Sequence, residues 1–355
     1  MDEPTNGCEP CNIAPPKKYS VWGITFMMLG AFSCSLMFLL VKLLADVNTF
    51  TLIFYRGLVQ VVVSLMALQN CGTNPLGPPE VRLLLVGRAA FGSLAVVCWF
   101  FGAQVLPLSD AITLHFTSPP FAAAFAVCFL GEPWKPLNMV GAVVCLTGVA
   151  LVAHPTFLFG SHVEEGKQDE DSDPVFQALA VMICTAGAAV AAMAYVCVRA
   201  IGDRASALVM VFYYGAVSLP VAVFGSVLFE GTWDVVRISG AGVGDVALVL
   251  LIGLLGVATQ WFINLGLQLE TAATASLATC TQIVWSYIFE LAFLHEALDS
   301  WSLGGSVLIL GYVLLVAYMK INKKEEVDSK DAPLLPDIES RQTVNANRSC
   351  DNSIN

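Results

Sequence analysis

Residues 92–106 read GSLAVVCWFFGAQVL, and residues 256–270 read GVATQWFINLGLQLE. The same offset of 164 sets Gly92 on Gly256, Gly102 on Gly266 and Gln104 on Gln268. It carries on to Glu132 and Glu296, Gly141 and Gly305, and Leu151-Val152-Ala153 and Leu315-Val316-Ala317. A register held without a gap from Gly92 to Ala153 marks a duplicated unit. Both copies are apolar, so the duplication lies within a membrane. Two related halves around a central site are a common plan for secondary transporters.

Composition agrees. Of 355 residues, 57% are hydrophobic and 13% charged, where a soluble domain carries about a quarter charged residues. The formal charge of −11 gathers mainly in one loop (Glu164, Glu165, Asp169, Glu170, Asp171, Asp173), the C-terminal tail and the extreme N-terminus. Most of the 11 cysteines lie in apolar runs, where a free cysteine acts as a small hydrophobe. Cys8-x-x-Cys11 has no second ligand pair. No cofactor, metal or nucleic-acid partner is expected.

Working outward, residues 1–19 form a polar N-terminal arm. Ten apolar segments follow, at 20–43, 49–69, 82–106, 109–130, 136–154, 175–200, 206–229, 244–268, 271–294 and 299–320. Each can cross a hydrocarbon layer, which takes about 20 helical residues, and no β-barrel alternation is present. The expected fold is an all-α polytopic membrane protein. Residues 20–154 are the first five-helix repeat, 155–174 an acidic flexible loop, 175–320 the second repeat and 321–355 a disordered tail. With the N-terminus cytosolic, its side receives thirteen lysines and arginines and the opposite side three, so both termini are expected in the cytosol. Five spans per half is odd, which makes the halves an inverted repeat. Asp331-x-x-Leu334-Leu335 on the tail is similar to a dileucine sorting signal that an adaptor reads, hinting at endosomal or vacuolar routing.

Ser118-Pro119-Pro120-Phe121, Leu130-Gly131-Glu132, Gly141 and Gly148-Val149 resemble the EamA domain of the drug/metabolite transporter superfamily. Phe54-Tyr55-Arg56-Gly57 resembles its arginine-glycine element, and the eukaryotic branch most resembled is the G-type subgroup of solute carrier family 35. The second copy has Gln282-Ile283 in place of the serine-proline pair and has lost the arginine. The resemblance implies ten helices with 1–4 and 6–9 around a central cavity, alternating access, and transport of a small organic metabolite.

Candidate residues follow from the cost of polar groups in hydrocarbon. Arg56, about two turns into the second helix, either faces the cavity and forks onto a carboxylate or phosphate, or snorkels outward. Glu290 is either a proton-coupling carboxylate, or the partner of Arg56, or part of the membrane interface with His295 and Glu296. Ser118 and Pro119 break the fourth helix and free carbonyls near His115, which lines the cavity or packs against a neighbouring helix. This kink is read as a feature of the first copy alone. Trp261, Asn264 and Gln282 add an aromatic face and amides. Glu132 and Glu296 are read as structural clamps onto the start of the next helix, tying helix 4 to 5 and 9 to 10. Gly102 and Gly266 are packing positions. No G-x-x-x-x-G-K-[ST] loop is present, so ATP does not drive the protein directly. No convergent acid–base or metal set supports an enzyme. The expectation is a secondary transporter of a small, anionic metabolite working by exchange or proton coupling, and the alternative is a non-transporting regulator on the same fold.

Overall fold

The computed structural model describes residues 22–43, 49–105, 113–132, 136–153, 174–231, 243–294 and 300–331. Among these, helices are the only regular structure. They are α1 (Trp22–Leu43), α2 (Thr49–Asn70), α3 (Arg82–Val105), α4 (Ser118–Leu130), α5 (Pro136–Ala153), α6 (Pro174–Ile201), α7 (Ala207–Glu230), α8 (Val243–Leu269), α9 (Ala272–Thr279), α10 (Thr281–Phe289) and α11 (Ser300–Asp331). Seven described helical stretches are long and apolar enough to cross a membrane, and Pro136–Val152 and Leu303–Met319 are shorter apolar helices. The acidic loop, the N-terminal arm, Glu296 and Leu334-Leu335 lie outside the described residues.

Local chemistry sets several ends. Ser206 caps α7 by accepting from the Val209 amide at 3.4 Å, and Thr271 caps α9 through the Thr274 amide at 3.3 Å. Gly131 ends α4 with φ of 63°, a conformation that suits a residue without Cβ, and the Glu132 amide returns to the Ala126 carbonyl at 3.2 Å. One expectation is overturned here: α11 does not stop at residue 320 but runs through Asp331. Residues 321–331 (INKKEEVDSKD) hold several good helix formers and no proline, the first being Pro333.

The packing repeats itself. α1 lies along α8 as α3 lies along α6; α2 packs on α8 as α7 packs on α3; α1 meets α10 as α6 meets α4. α2 crosses α7, and α5 crosses α11. Each partnership turns into its mate when α1–α5 are exchanged for α6–α11 in order. The contacts are reciprocal down to single residues. A Cβ built on Gly92 would stand 3.0 Å from Tyr214, and one on Gly256 would stand 2.7 Å from Arg56. Gly92 and Gly256 are repeat mates at offset 164, and Arg56 and Tyr214 are mates at offset 158, which lays Phe54-Tyr55-Arg56-Gly57 on Phe212-Tyr213-Tyr214-Gly215. Gly57 and Gly215 face each other's carbonyls, with Cβ approaches of 3.2 and 2.9 Å. At the α5–α11 crossing, Gly141 fits against Tyr312 and Gly305 against Gly148, and these pairs are again mates at offset 164. In lipid, where apolar contact between helices gains little over contact with acyl chains, such backbone approach is what holds helices together.

The fourth segment corrects a second expectation. Its helix is interrupted at Phe116–Thr117 and restarts at Ser118, where Pro119 and Pro120 occupy the first turn. The second copy is interrupted at the same repeat position, Cys280, with no proline nearby. The shared cause is threonine. Thr117 Oγ donates to the Leu114 carbonyl at 2.6 Å, and its mate Thr281 Oγ donates to the Ala278 carbonyl at 2.8 Å. A hydroxyl three residues on competes with the helix for its own acceptor. The amides tighten likewise, Thr117 N to Leu114 O at 3.1 Å and Cys280 N to Leu277 O at 3.2 Å. The prolines begin a helix that is already broken.

Candidate functional site

Two of the candidate side chains, Arg56 and Asn264, converge where α2, α3, α7 and α8 meet. Arg88, on α3, is 3% exposed. Its Nε and Nη2 donate to Asn264 Oδ1 at 3.3 and 3.1 Å, and Nη2 also donates to Gln260 Oε1 at 2.6 Å. Its guanidinium lies 4.9 Å from the centre of the Tyr214 ring. Arg56, on α2, stands 5.6 Å from the same ring and donates from Nη2 to the Tyr214 hydroxyl at 3.2 Å. Two cations thus share one aromatic ring, whose negative π-face attracts both. Asn264 is fully buried, and its Nδ2 donates to the Ala207 carbonyl at 3.4 Å.

Close glycines make this convergence possible. Gly92 gives room for Tyr214 and Arg88, and Gly256 for Arg56. Among the described residues neither guanidinium meets a carboxylate; the bonds of Arg88 and Arg56 run to neutral amides and a phenol. Arg56 Nε is buried without a partner, as are both amide atoms of Gln60, one turn further along α2. The cluster holds positive charge with open hydrogen-bonding atoms, which suits an anion.

The structure joins Arg56 and Asn264 in this cluster through Arg88 and Tyr214. The other candidates make contacts of their own. His115 lies at the helix interruption beside Trp99 and Phe116, with ring centres 5.9 and 5.5 Å away. Ser118 is buried at the start of α4. Trp261 leans on Phe262 at 5.4 Å. The Gln282 carbonyl accepts from Ser35 Oγ at 2.7 Å, tying α10 to α1. Gly266 packs on Met27 of α1, and Gly102 lies in α3. Glu290 opens the π-helical turn Glu290–Leu294, and its side chain lies outside the described atoms.

Glu132 joins the end of α4 to α6. Its Oε1 meets Arg199 Nε of α6 at 3.0 Å, and Arg199 Nη1 also donates to the Gln268 carbonyl at 2.8 Å. The Gln268 side-chain amide donates in turn to the carbonyls of Gly202 and Ala205, at 2.6 and 2.8 Å. The C-terminal ends of α4, α6 and α8 are therefore knotted on one face.

Sequence reasoning missed Arg88, Tyr214 and Gln60. By charge bias Arg88 counts among the cytosolic-side lysines and arginines, although it stands six residues inside α3. Tyr214 stands where the second copy lacks the arginine. A signal for it existed: residues near a twofold axis meet their own mates, and Tyr214 is the mate of Arg56.

A family model described as the EamA-like transporter family matches residues 21–153 and again 178–318. The chain belongs to the EamA-like transporter family. It is therefore an integral, multi-pass membrane transporter and not an enzyme, each half of it one EamA unit. Solute carrier family 35 member G1 of Mus musculus is 30% identical over 81% of this chain and 76% of its own length, in keeping with a G-type member of that carrier family. The pseudopaline exporter CntI of Pseudomonas aeruginosa is 26% identical over 81% of this chain and 93% of its own. A crystal structure 16% identical in sequence superposes with a TM-score of 0.67 over 86% of this chain and 98% of its own, which shows a shared fold. This EamA-like transporter moves a small solute across a bilayer.

Proposed function

We propose that this EamA-like transporter is a secondary carrier of a small organic anion, bearing a carboxylate or phosphate, that works by alternating access with exchange or proton coupling. The observation that carries the reading is the pair of guanidiniums, Arg56 and Arg88, set in a buried polar cluster whose described residues include no acid. A buried cation without a counter-charge is costly, and an anionic substrate would supply that charge. Arg56, with Nε unpartnered, is the group free to fork onto it. Arg88 is the fixed charge, held by two amides.

The proposed frame is ten membrane helices as two inverted sets of five, with both termini in the cytosol. The constant offset, the reciprocal contacts and the odd number of spans per half support the inversion; the lysine and arginine bias supports the orientation. On this frame the knot of Glu132, Arg199 and Gln268 lies at the cytosolic face.

Uptake of a panel of carboxylates and phosphates into proteoliposomes tests the substrate class. Wild type should accumulate at least one, and Arg56→Ala should lose uptake while the protein still inserts and purifies normally. Unchanged uptake by the variant would assign Arg56 to the membrane surface. Cleavage of a C-terminal tag by external protease in sealed right-side-out vesicles would overturn the orientation.

A further inference from the structure

We infer that Gln60 is the specificity residue of the substrate site, and that it reads a hydroxyl group next to the anionic group held by Arg56. This inference rests on the anion reading above and adds a second recognition element to it. Gln60 stands halfway along the 22-residue α2, at the depth where carriers of this repeat architecture keep their substrates. It is 0% exposed, and both its Nε2 and its Oε1 are buried without a hydrogen-bond partner. An orphaned donor and an orphaned acceptor on one buried amide are each costly, and in lipid no bulk water relieves them. The site is built around this amide. Gly256 brings the α8 backbone directly against this amide and Arg56, since a Cβ there would stand 3.3 Å from Gln60 Nε2 and 2.7 Å from Arg56 Cγ. Gly215 of α7 does the same on the other side, with a Cβ approach of 3.0 Å to Gln60 Cβ.

The chemistry of the occupant follows from what is left open. Arg56 Nε is a buried charged donor and fits an anionic oxygen. Residues four apart on a helix have Cβ atoms about 5–6 Å apart, so Gln60 addresses a group one or two bonds from that anion. A group that satisfies Nε2 must accept, and one that satisfies Oε1 must donate. A hydroxyl does both from a single atom. The ligand class is thus a small hydroxylated organic anion, and its counterpart lacking the hydroxyl leaves the amide unpaired.

Matched pairs that differ by one hydroxyl test this on the full-length protein purified in detergent: lactate and propionate, malate and succinate, 2-hydroxyethyl phosphate and ethyl phosphate. The readout is the concentration of each that raises the unfolding temperature of wild type, Arg56→Ala, Gln60→Leu and Gln60→Met. At least one hydroxylated member should stabilise wild type at a concentration roughly tenfold or more below its partner, because a site built for a hydroxyl rejects the analogue without it. Both Gln60 variants should bring that ratio to about one by weakening the hydroxylated member. Met keeps the length and packing of the side chain, so it decides the matter if Leu fails to fold. Equal action of both members on wild type, or a ratio that survives in Gln60→Met, would overturn the inference. If either result comes with binding that Arg56→Ala abolishes, the anion reading still stands. Failure of every pair to stabilise wild type overturns both.

Discussion

The fourth segment of the first repeat carries Ser118-Pro119-Pro120, and the same positions of the second carry Gln282-Ile283-Val284. On proline content alone the first should bend and the second run straight. Both are interrupted at the same place, because Thr117 and Thr281 each turn their hydroxyl onto the carbonyl three residues back. The pair near the twofold axis behaves in the opposite way. Arg56 and Tyr214 occupy equivalent positions, yet one is a cation and the other its hydrogen-bond acceptor and π-surface. Duplication preserved the joints and diversified the centre. A joint needs only a local backbone bond, which any copy can keep. At the axis the mates touch, and two arginines meeting there would repel.

Four experiments bear on that contrast. Arg88→Met should have the largest effect, since it strips a charged donor from Asn264 and Gln260 in a buried site. The expected loss is about 2–4 kcal/mol of stability, with transport abolished; a melting temperature within error of wild type would remove Arg88 from the centre. Next is the α5–α11 crossing, where a Cβ on Gly305 would lie 2.5 Å from the Gly148 carbonyl and one on Gly311 meets nothing among the described residues. Gly305→Val should cost roughly 1–3 kcal/mol by overpacking, and Gly311→Val should leave the melting temperature near wild type. Equal costs would show that the crossing does not depend on that approach.

The joints make the finer comparison. Thr281→Val should cost about 1 kcal/mol and lower transport, because nothing else interrupts the helix there. Thr117→Val should do less, since Pro119 and Pro120 lack the amides to continue the preceding helix. Equal effects, or the reverse order, would restore proline as the cause. The smallest effect belongs to Glu132 and Arg199, whose side chains are 15% and 31% exposed. A double-mutant cycle with Glu132→Gln and Arg199→Gln should give a coupling of at most about 1 kcal/mol, as partly solvated pairs do. Zero coupling would mean that Arg199 ties the helices through the Gln268 carbonyl alone.

The sequence by itself determined a good deal. Hydropathy and one constant offset were enough for an all-helical membrane chain with two related halves. Gly92, Gly141, Gly256 and Gly305 could be picked out because glycines kept in register in both copies mark where backbones come together. Arg56 was legible because a cation is costly in hydrocarbon wherever its helix faces. What only the tertiary structure decided is which polar groups meet. Arg88 looked like a surface charge until α3 was set against α7 and α8, and Glu132 found a partner two helices on, in α6. Gln60 carries no signal along the chain, since a lone amide in an apolar run is ambiguous. Its meaning lies in having both of its atoms buried and unanswered beside Arg56, and that is a relation between three helices which no local stretch of residues encodes.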